Sequence, residues 1–299
     1  MKVGVIGARR VRQGLGPYVV QHLRALDAEV PCFLASRPES VPETERATGA
    51  RGYTALDRML ASHPLDALAI LSPAESHERY LEAALEARLH VLCEKPLVWG
   101  GARLAARAAN LERAYREAGL GLRECCQWPE TLPAYRALHP DVGPVRSFRM
   151  RLSPASREPR VMLGDSLSHP LSLLQALVPG AGEAIDVRFP RLAPGSLSLA
   201  FQWRTPDAAV AVEIELITRE EPPREAGYGV NGHWAERRIR PGAYAFSFAD
   251  GAREVPVPDP LRELLRDFVA APARPPGGEI GERMANLERI LDALPAEEG

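Results

Sequence analysis

The first residues able to do chemistry follow the first apolar run, Val3-Gly4-Val5-Ile6, in the segment Gly7-Ala8-Arg9-Arg10-Val11-Arg12-Gln13-Gly14-Leu15-Gly16. A glycine-bearing turn between a strand and a helix brings a pyrophosphate to a helix N-terminus, where backbone N–H groups face the anion. The G-x-G-x-x-G spacing would put glycines at positions 9 and 12, where this chain has Arg9 and Arg12. Arginine blocks the close backbone approach but adds charge-assisted fork contacts to phosphate oxygens. Gly7, Arg9, Arg10 and Gly14 are thus candidate phosphate-binding residues; the alternative is a solvated arginine loop or one that meets another subunit. A second candidate is Ser36-Arg37, after the apolar segment 30–35. A site for NAD places an acid there on the ribose 2′-hydroxyl, and none is present. A hydroxyl followed by a guanidinium suits a 2′-phosphate, which favours NADP while leaving NAD possible. A solvated loop arginine is the alternative for Arg37.

A longer signal reads Ala69-Ile70-Leu71-Ser72-Pro73-Ala74-Glu75-Ser76-His77 and then, after a helical stretch, Leu89-His90-Val91-Leu92-Cys93-Glu94-Lys95-Pro96-Leu97. With these residues the chain resembles the glucose–fructose oxidoreductase, inositol dehydrogenase and MocA (Gfo/Idh/MocA) family of NAD(P)-dependent oxidoreductases. The family hallmarks include a Thr/Ser-Pro turn with a following histidine and a Glu-Lys-Pro after a later strand. The likeness continues through Gln127-Trp128-Pro129 and Pro133-Ala134-Tyr135 to the last helices. It implies that Lys95 lies near nicotinamide and substrate, that Glu94 helps to position the cofactor, and that Ser72, Pro73 and His77 border the cofactor site. His77 then packs or hydrogen-bonds there and does not transfer protons. An ammonium in the place of Lys95 polarises a hydroxyl or carbonyl oxygen, and desolvation eases the loss of its proton. Pro96 makes a cis peptide accessible at a cost of about 0.5–1 kcal/mol.

The segment Gly164-Asp165-Ser166-Leu167-Ser168-His169-Pro170-Leu171-Ser172 is similar to the family's D-x-G-x-H-x-x-D stretch. Asp165 and His169 fall on one helical face. His169 is then the candidate acid/base and Asp165 orients it or touches the substrate. Leu167 stands for the family's glycine and Ser172 for its last aspartate, so substrate contacts there differ. Another reading makes Asp165 a helix cap and His169 a buried, hydrogen-bonded histidine. A rival for the whole chain is a non-redox binding or regulatory protein on the same scaffold, its arginine loop holding another anion. Arg9, Arg12, Ala74, Leu167 and Ser172 point that way. His233, beside Trp234, is a further candidate substrate contact.

These residues need a scaffold. Over the first 120 residues short apolar runs alternate with amphipathic stretches, the pattern of a parallel sheet covered by helices. Strands are expected at 2–6, 30–35, 67–71, 90–93 and 120–124, with helices at 17–28, 78–87 and 101–118. Leu56, Met59 and Leu60 recur at helical spacing. From about residue 125 strands dominate, at 145–152, 196–204, 209–218 and 243–249. In 209–218, Val210, Val212, Ile214 and Leu216 alternate with Ala211, Glu213 and Glu215, so one face packs on helices and the other is polar. Helices are expected at 163–178, 261–270 and 282–293, and 219–242 as a long hairpin loop. The fold class is α/β: a Rossmann doubly wound parallel sheet in residues 1–124, then an α+β domain with a mostly antiparallel open sheet in 125–299. The resemblance implies a homodimer or homotetramer through the outer face of the second sheet.

Composition sets the outer bounds. The 299 residues are 45% hydrophobic and 25% charged, which is ordinary for a globular protein of two domains. With 37 basic against 39 acidic residues there is no nucleic-acid footprint. No apolar run nears the ~18–20 residues of a membrane span, and the start has no signal-peptide layout, so a cytoplasmic location with a small-molecule substrate is expected. Cys32, Cys93, Cys125 and Cys126 lack paired C-x-x-C spacing and read as reduced, mostly buried thiols; no metal site is expected.

Overall fold

The computed structural model describes residues 1–9, 14–219, 221, 224–239 and 245–295. They form two compact units, Met1–Cys125 with Leu261–Ile280, and Cys126–Pro260 with the chain from Gly281 onward.

In the first unit strands and helices alternate: β1 (Val3–Ile6), α1 (Gly16–Ala25), β2 (Cys32–Leu34), α2 (Val41–Thr48), β3 (Arg51–Tyr53), α3 (Leu56–Ser62), β4 (Ala67–Ile70), α4 (His77–Glu86), β5 (His90–Cys93), α5 (Leu104–Glu117) and β6 (Leu122–Glu124). The strands pair in parallel in the order β3-β2-β1-β4-β5-β6. Strand order reverses between β1 and β4, which leaves a crevice beyond their carboxyl ends. Every residue of β1 and β4 is buried, as apolar runs must be in a sheet covered on both faces. Helix α1 buries Val19, Val20 and Leu23 and stops at Ala25, short of the expected end, where Asp27 takes a left-handed φ of +58°. Neither α2 nor β3 is apparent in the sequence: Arg51-Gly52-Tyr53 is too short and polar to read as a strand, and pairing with β2 makes it one.

The second unit opens with α6 (Leu132–Leu138), followed by β7 (Ser147–Leu152), α7 (Pro159–Ser166), α8 (Ser168–Leu177), β8 (Glu183–Ala193), β9 (Ser196–Arg204), β10 (Ala209–Ile217), β11 (Gly227–Val230), β12 (His233–Ile239), β13 (Phe246–Ala249) and β14 (Glu254–Val257). Its eight-stranded sheet runs β14-β13-β12-β11-β7-β10-β9-β8 and is antiparallel except at β7–β10. In β10 the residues alternate as expected, with Val210, Val212, Ile214 and Leu216 buried. On the other face Glu215 pairs with Arg151 at 2.8 Å and lies 3.7 Å from Arg149 and from Arg191. Residues 219–242 are not one long loop. Within them β11 and β12 form a hairpin turned by Asn231-Gly232, both at positive φ, a pair of residues that tolerates the left-handed region. The longest strand, β8, has mixed polar and apolar residues with bulges and gives no clean alternation to read.

The chain ends with α9 (Pro260–Ala270) and α10 (Glu279–Asp292). Contrary to a single boundary near residue 125, α9 belongs to the first unit: Leu261, Leu264, Leu265 and Phe268 pack with Val19, Val20 and Leu23. Gly121 lets the returning chain pass, since a Cβ there would lie 1.8 Å from the Pro272 carbonyl oxygen. Helices α7 and α8 replace one expected helix, the break falling at Leu167. No helix among the described residues is long and apolar enough to cross a membrane. Phe268 is fully buried, so Phe268→Ala should lower the unfolding free energy in urea melts by about 3–5 kcal/mol. A loss under about 1 kcal/mol, the range of surface substitutions and mild core changes, would contradict α9 as part of this core.

Candidate active site

Gly7, Ser36, Ser72 and Glu94 each follow the carboxyl end of a parallel strand, so one sheet edge gathers them. Gly7 leaves β1 at φ +88°; a Cβ there would sit 2.7 Å from the Leu71 carbonyl oxygen and 3.0 Å from the Ser72 nitrogen. The turn after β1 therefore lies directly on the turn after β4. Gly16, at the start of α1, approaches closer still, for its Cβ would be 2.3 Å from the Gly7 carbonyl oxygen. This backbone-on-backbone packing is what a phosphate-binding turn requires of a glycine. Sequence spacing hides it, because Gly16 reads there only as a helix start. Gly14 is half-buried just before α1. Arg9 is exposed and 3.8 Å from Glu43, also exposed. Arg10 and Arg12 lie outside the described residues.

Ser36 and Arg37 are both exposed just past β2. Arg37 is extended, and its carbonyl accepts from the Ser40 hydroxyl at 2.8 Å. Beyond β4, the Ser72 and Ser76 hydroxyls are 2.7 Å apart and Ser76 donates to the Pro73 carbonyl at 2.7 Å. Beyond β5, the Lys95 N–H meets the Glu94 carboxylate at 3.1 Å, Lys95 is half-buried, and the Lys95–Pro96 peptide is cis, the isomer that Pro96 makes accessible. The buried carboxylate of Glu124 accepts from the Leu97 N–H at 2.8 Å and so secures the chain just after this turn. Arg107 of α5 forks onto Glu78 of α4 and also donates to the carbonyls of Gly100 and Ala102.

His77 links the two turns. Its ring is fully buried, with Nδ1 2.9 Å from the Pro96 carbonyl and Nε2 2.8 Å from the Ser72 carbonyl. A neutral imidazole has one N–H, so it donates to one carbonyl, while both contacts and the charges of Glu124 and Glu75 favour a second proton. Burial outweighs them and lowers the His77 pKa below its ordinary value. Burial also pushes the Cys32 thiol up to about 11 and raises Cys93 well above its ordinary value, so neither is poised as a nucleophile. All four cysteines are buried and none forms a disulfide; Cys125 and Cys126 lie just past β6. Among the described residues no three histidine, cysteine, aspartate or glutamate side chains gather as a metal site.

In the second unit, Asp165 near the end of α7 is exposed and His169 near the start of α8 is half-buried. The His169 ring lies 6.3 Å from that of Trp128, and the charge of Asp165 acts on Arg224. Leu167 is fully buried, and buried Ser172 donates to the carbonyl of His169 at 2.8 Å. The two departures from the family pattern thus serve packing and the helix itself. His233 opens β12 with its ring 5.5 Å from that of His139.

The first 120 residues match the family model described as an oxidoreductase family with an NAD-binding Rossmann fold. Over these residues the chain is similar to the Gfo/Idh/MocA oxidoreductase family. The chain is 30% identical over 151 residues to inositol 2-dehydrogenase of Leifsonia xyli, covering 48% of this chain and 44% of that protein. It is 25% identical over 237 residues to inositol 2-dehydrogenase of Corynebacterium glutamicum, covering 72% of this chain and 64% of the relative. The matches thus span about half to two thirds of these relatives' length. By fold the chain is similar to KijD10, a 3-ketoreductase from Actinomadura kijaniata in complex with NADP and TDP-benzene, with TM-score 0.73, 20% identity, and coverage of 98% of this chain and 96% of that one.

A histidine whose folded pKa is depressed stabilises the protein only while it stays neutral in both states. That stability is complete above the unfolded pKa of about 6.5 and is lost as pH falls towards the folded value, at up to about 1.4 kcal/mol per pH unit. His90 is lowered by burial too, so the share of His77 is the difference between two pH series. Urea melts from pH 7.5 down to 5.5 should show a shallower loss of stability in His77→Gln than in the parent chain.

Proposed function

We propose that the chain is a nicotinamide-dependent dehydrogenase or reductase of the CH–OH or C=O group of a sugar, polyol or amino-sugar derivative, with NADP favoured over NAD. The observation that carries this reading is the cradle at the sheet's carboxyl edge, where Gly7 and Gly16 bring two backbone turns and a helix N-terminus together. The dinucleotide fits there. Helix α1 has no acidic residue in its first turn to repel an anion. Gly7, Gly14 and Gly16 would border the pyrophosphate with Arg9. Ser36 and Arg37, exposed at the end of β2 with no acid beside the ribose position, would take a 2′-phosphate. Ser72, Pro73, His77 and Glu94 would line the nicotinamide side. The names of the inositol 2-dehydrogenase and 3-ketoreductase relatives support a sugar-like substrate.

When bound, the nicotinamide accepts or supplies the hydride. Lys95 polarises the substrate oxygen, and its backbone N–H bonded to Glu94 fixes the turn that carries it. His169 takes the hydroxyl proton in oxidation or returns it in reduction, with Trp128 beside its ring and Asp165 binding the substrate or orienting the imidazole. The non-redox alternative gains nothing from Leu167 and Ser172, since both are buried in packing.

Calorimetric titration should give tight NADPH binding. Lys95→Ala and His169→Ala should each reduce turnover of a carbonyl panel by about 10²–10⁴-fold, the range of a lost general acid or base. Rates unchanged by both substitutions would remove those roles, and failure to bind either dinucleotide would remove the reading. Arg37→Gln should weaken NADPH about tenfold and leave NADH unaffected, the loss of one charge-assisted contact; equal losses for both cofactors would contradict a 2′-phosphate site.

A further inference from the structure

A cavity of about 80 Å³ opens within the second unit, lined among others by Gln127, Trp128, Arg237, Ile239 and Phe246. Among its described lining residues the cation is Arg237. On β12 it shares a face with buried Ala235, the side of the sheet that carries Trp128. Its guanidinium lies 5.8 Å over the Trp128 ring and 5.9 Å from the Phe246 ring, and one amino group donates to the Arg224 carbonyl at 2.8 Å. Two aromatic faces and a carbonyl fix the plane of the fork. Arg237 is half-buried beside them, which strengthens its pull on an anion in the cavity.

Two short routes connect this cation to the candidate catalytic residues of the same unit. Trp128, under the guanidinium, is the ring beside His169. Arg224, which accepts from Arg237, is the residue on which the charge of Asp165 acts. A ligand reaching His169 and Asp165 therefore has an oriented guanidinium within its own neighbourhood, in a recess able to take one small charged group.

We infer that this cavity seats an anionic group, carboxylate or phosphate, carried by the sugar-like substrate, with Arg237 as the residue that selects it. The inference rests on the oxidoreductase reading for the identity of the substrate, not for the chemistry of the pocket. A planar carboxylate or a phosphate pairs with the fork through two N–H donors, which a neutral hydroxymethyl group cannot match.

The test is titration of the full chain with D-glucose, D-glucuronate and D-glucose 6-phosphate, which share a ring and differ at one end. At least one charged sugar should bind about tenfold or more tightly than glucose, the gain expected of one charge-assisted pair, and the stronger of the two identifies the anion. Rising ionic strength should weaken the charged sugar and leave glucose unaffected. Arg237→Gln should bring the charged-to-neutral preference close to unity, and Arg237→Lys should restore part of it, with thermal melts reporting that both variants fold. Charged sugars that bind no tighter than glucose, or a preference that survives in Arg237→Gln, would overturn the inference. Turnover with NADP or NAD is read separately. Tight charged-sugar binding without any turnover contradicts the oxidoreductase reading alone; turnover with no preference for charge contradicts the anion pocket alone.

Discussion

The buried imidazole of His77, placed between the carbonyls of Ser72 and Pro96, joins two turns that leave neighbouring strands of the parallel sheet. Without it, the Ser-Pro turn and the Glu-Lys-Pro turn would be independent loops, each able to drift by the amplitude loops ordinarily show. Around it the restraints multiply. Gly7 rests on the Leu71–Ser72 backbone, Glu124 holds the Leu97 amide, and the fork of Arg107 ties Glu78 to the loop after Trp99. The half-buried Lys95 is thus carried by a turn restrained from several sides. In the role proposed for it, the ammonium needs that kind of support, since small misplacements cost large factors in rate.

The alternation of apolar runs with amphipathic stretches made the parallel sheet legible, because strands buried on both faces must be apolar throughout and β1, β4 and β5 are nearly so. β10 was legible for the opposite reason: one wet face and one packed face enforce a period of two. Where neither pressure acts, the sequence is silent. β3 is held by its neighbour, β8 is bulged and largely exposed, and β11 consists of Gly227-Tyr228-Gly229-Val230, whose glycines lower its propensity although all four residues are buried. Gly227 is required there for a different reason, as a Cβ would lie 2.6 Å from the Ala235 carbonyl oxygen.

The candidate site was legible in the same uneven way. Ser72-Pro73, His77 and Glu94-Lys95-Pro96 could be found because they are contiguous motifs at strand ends. Gly16 could not, since its role depends on where the helix lands on the Gly7 carbonyl, a distance that no spacing rule encodes. Arg237 was hidden inside a stretch that reads as loop, and its significance arises only when pairing of β11 with β12 brings it over Trp128. In both cases the property is created by tertiary approach.

That α9 completes the first unit has a consequence for how the polypeptide is made. The apolar face of α1 waits for Leu261, Leu265 and Phe268, which leave the ribosome only after the entire β-rich segment between them has emerged. A nascent nucleotide-binding half therefore cannot finish its hydrophobic interior on its own. Its maturation is postponed until that segment has been translated, and during that interval uncovered apolar surface is what a chaperone would meet.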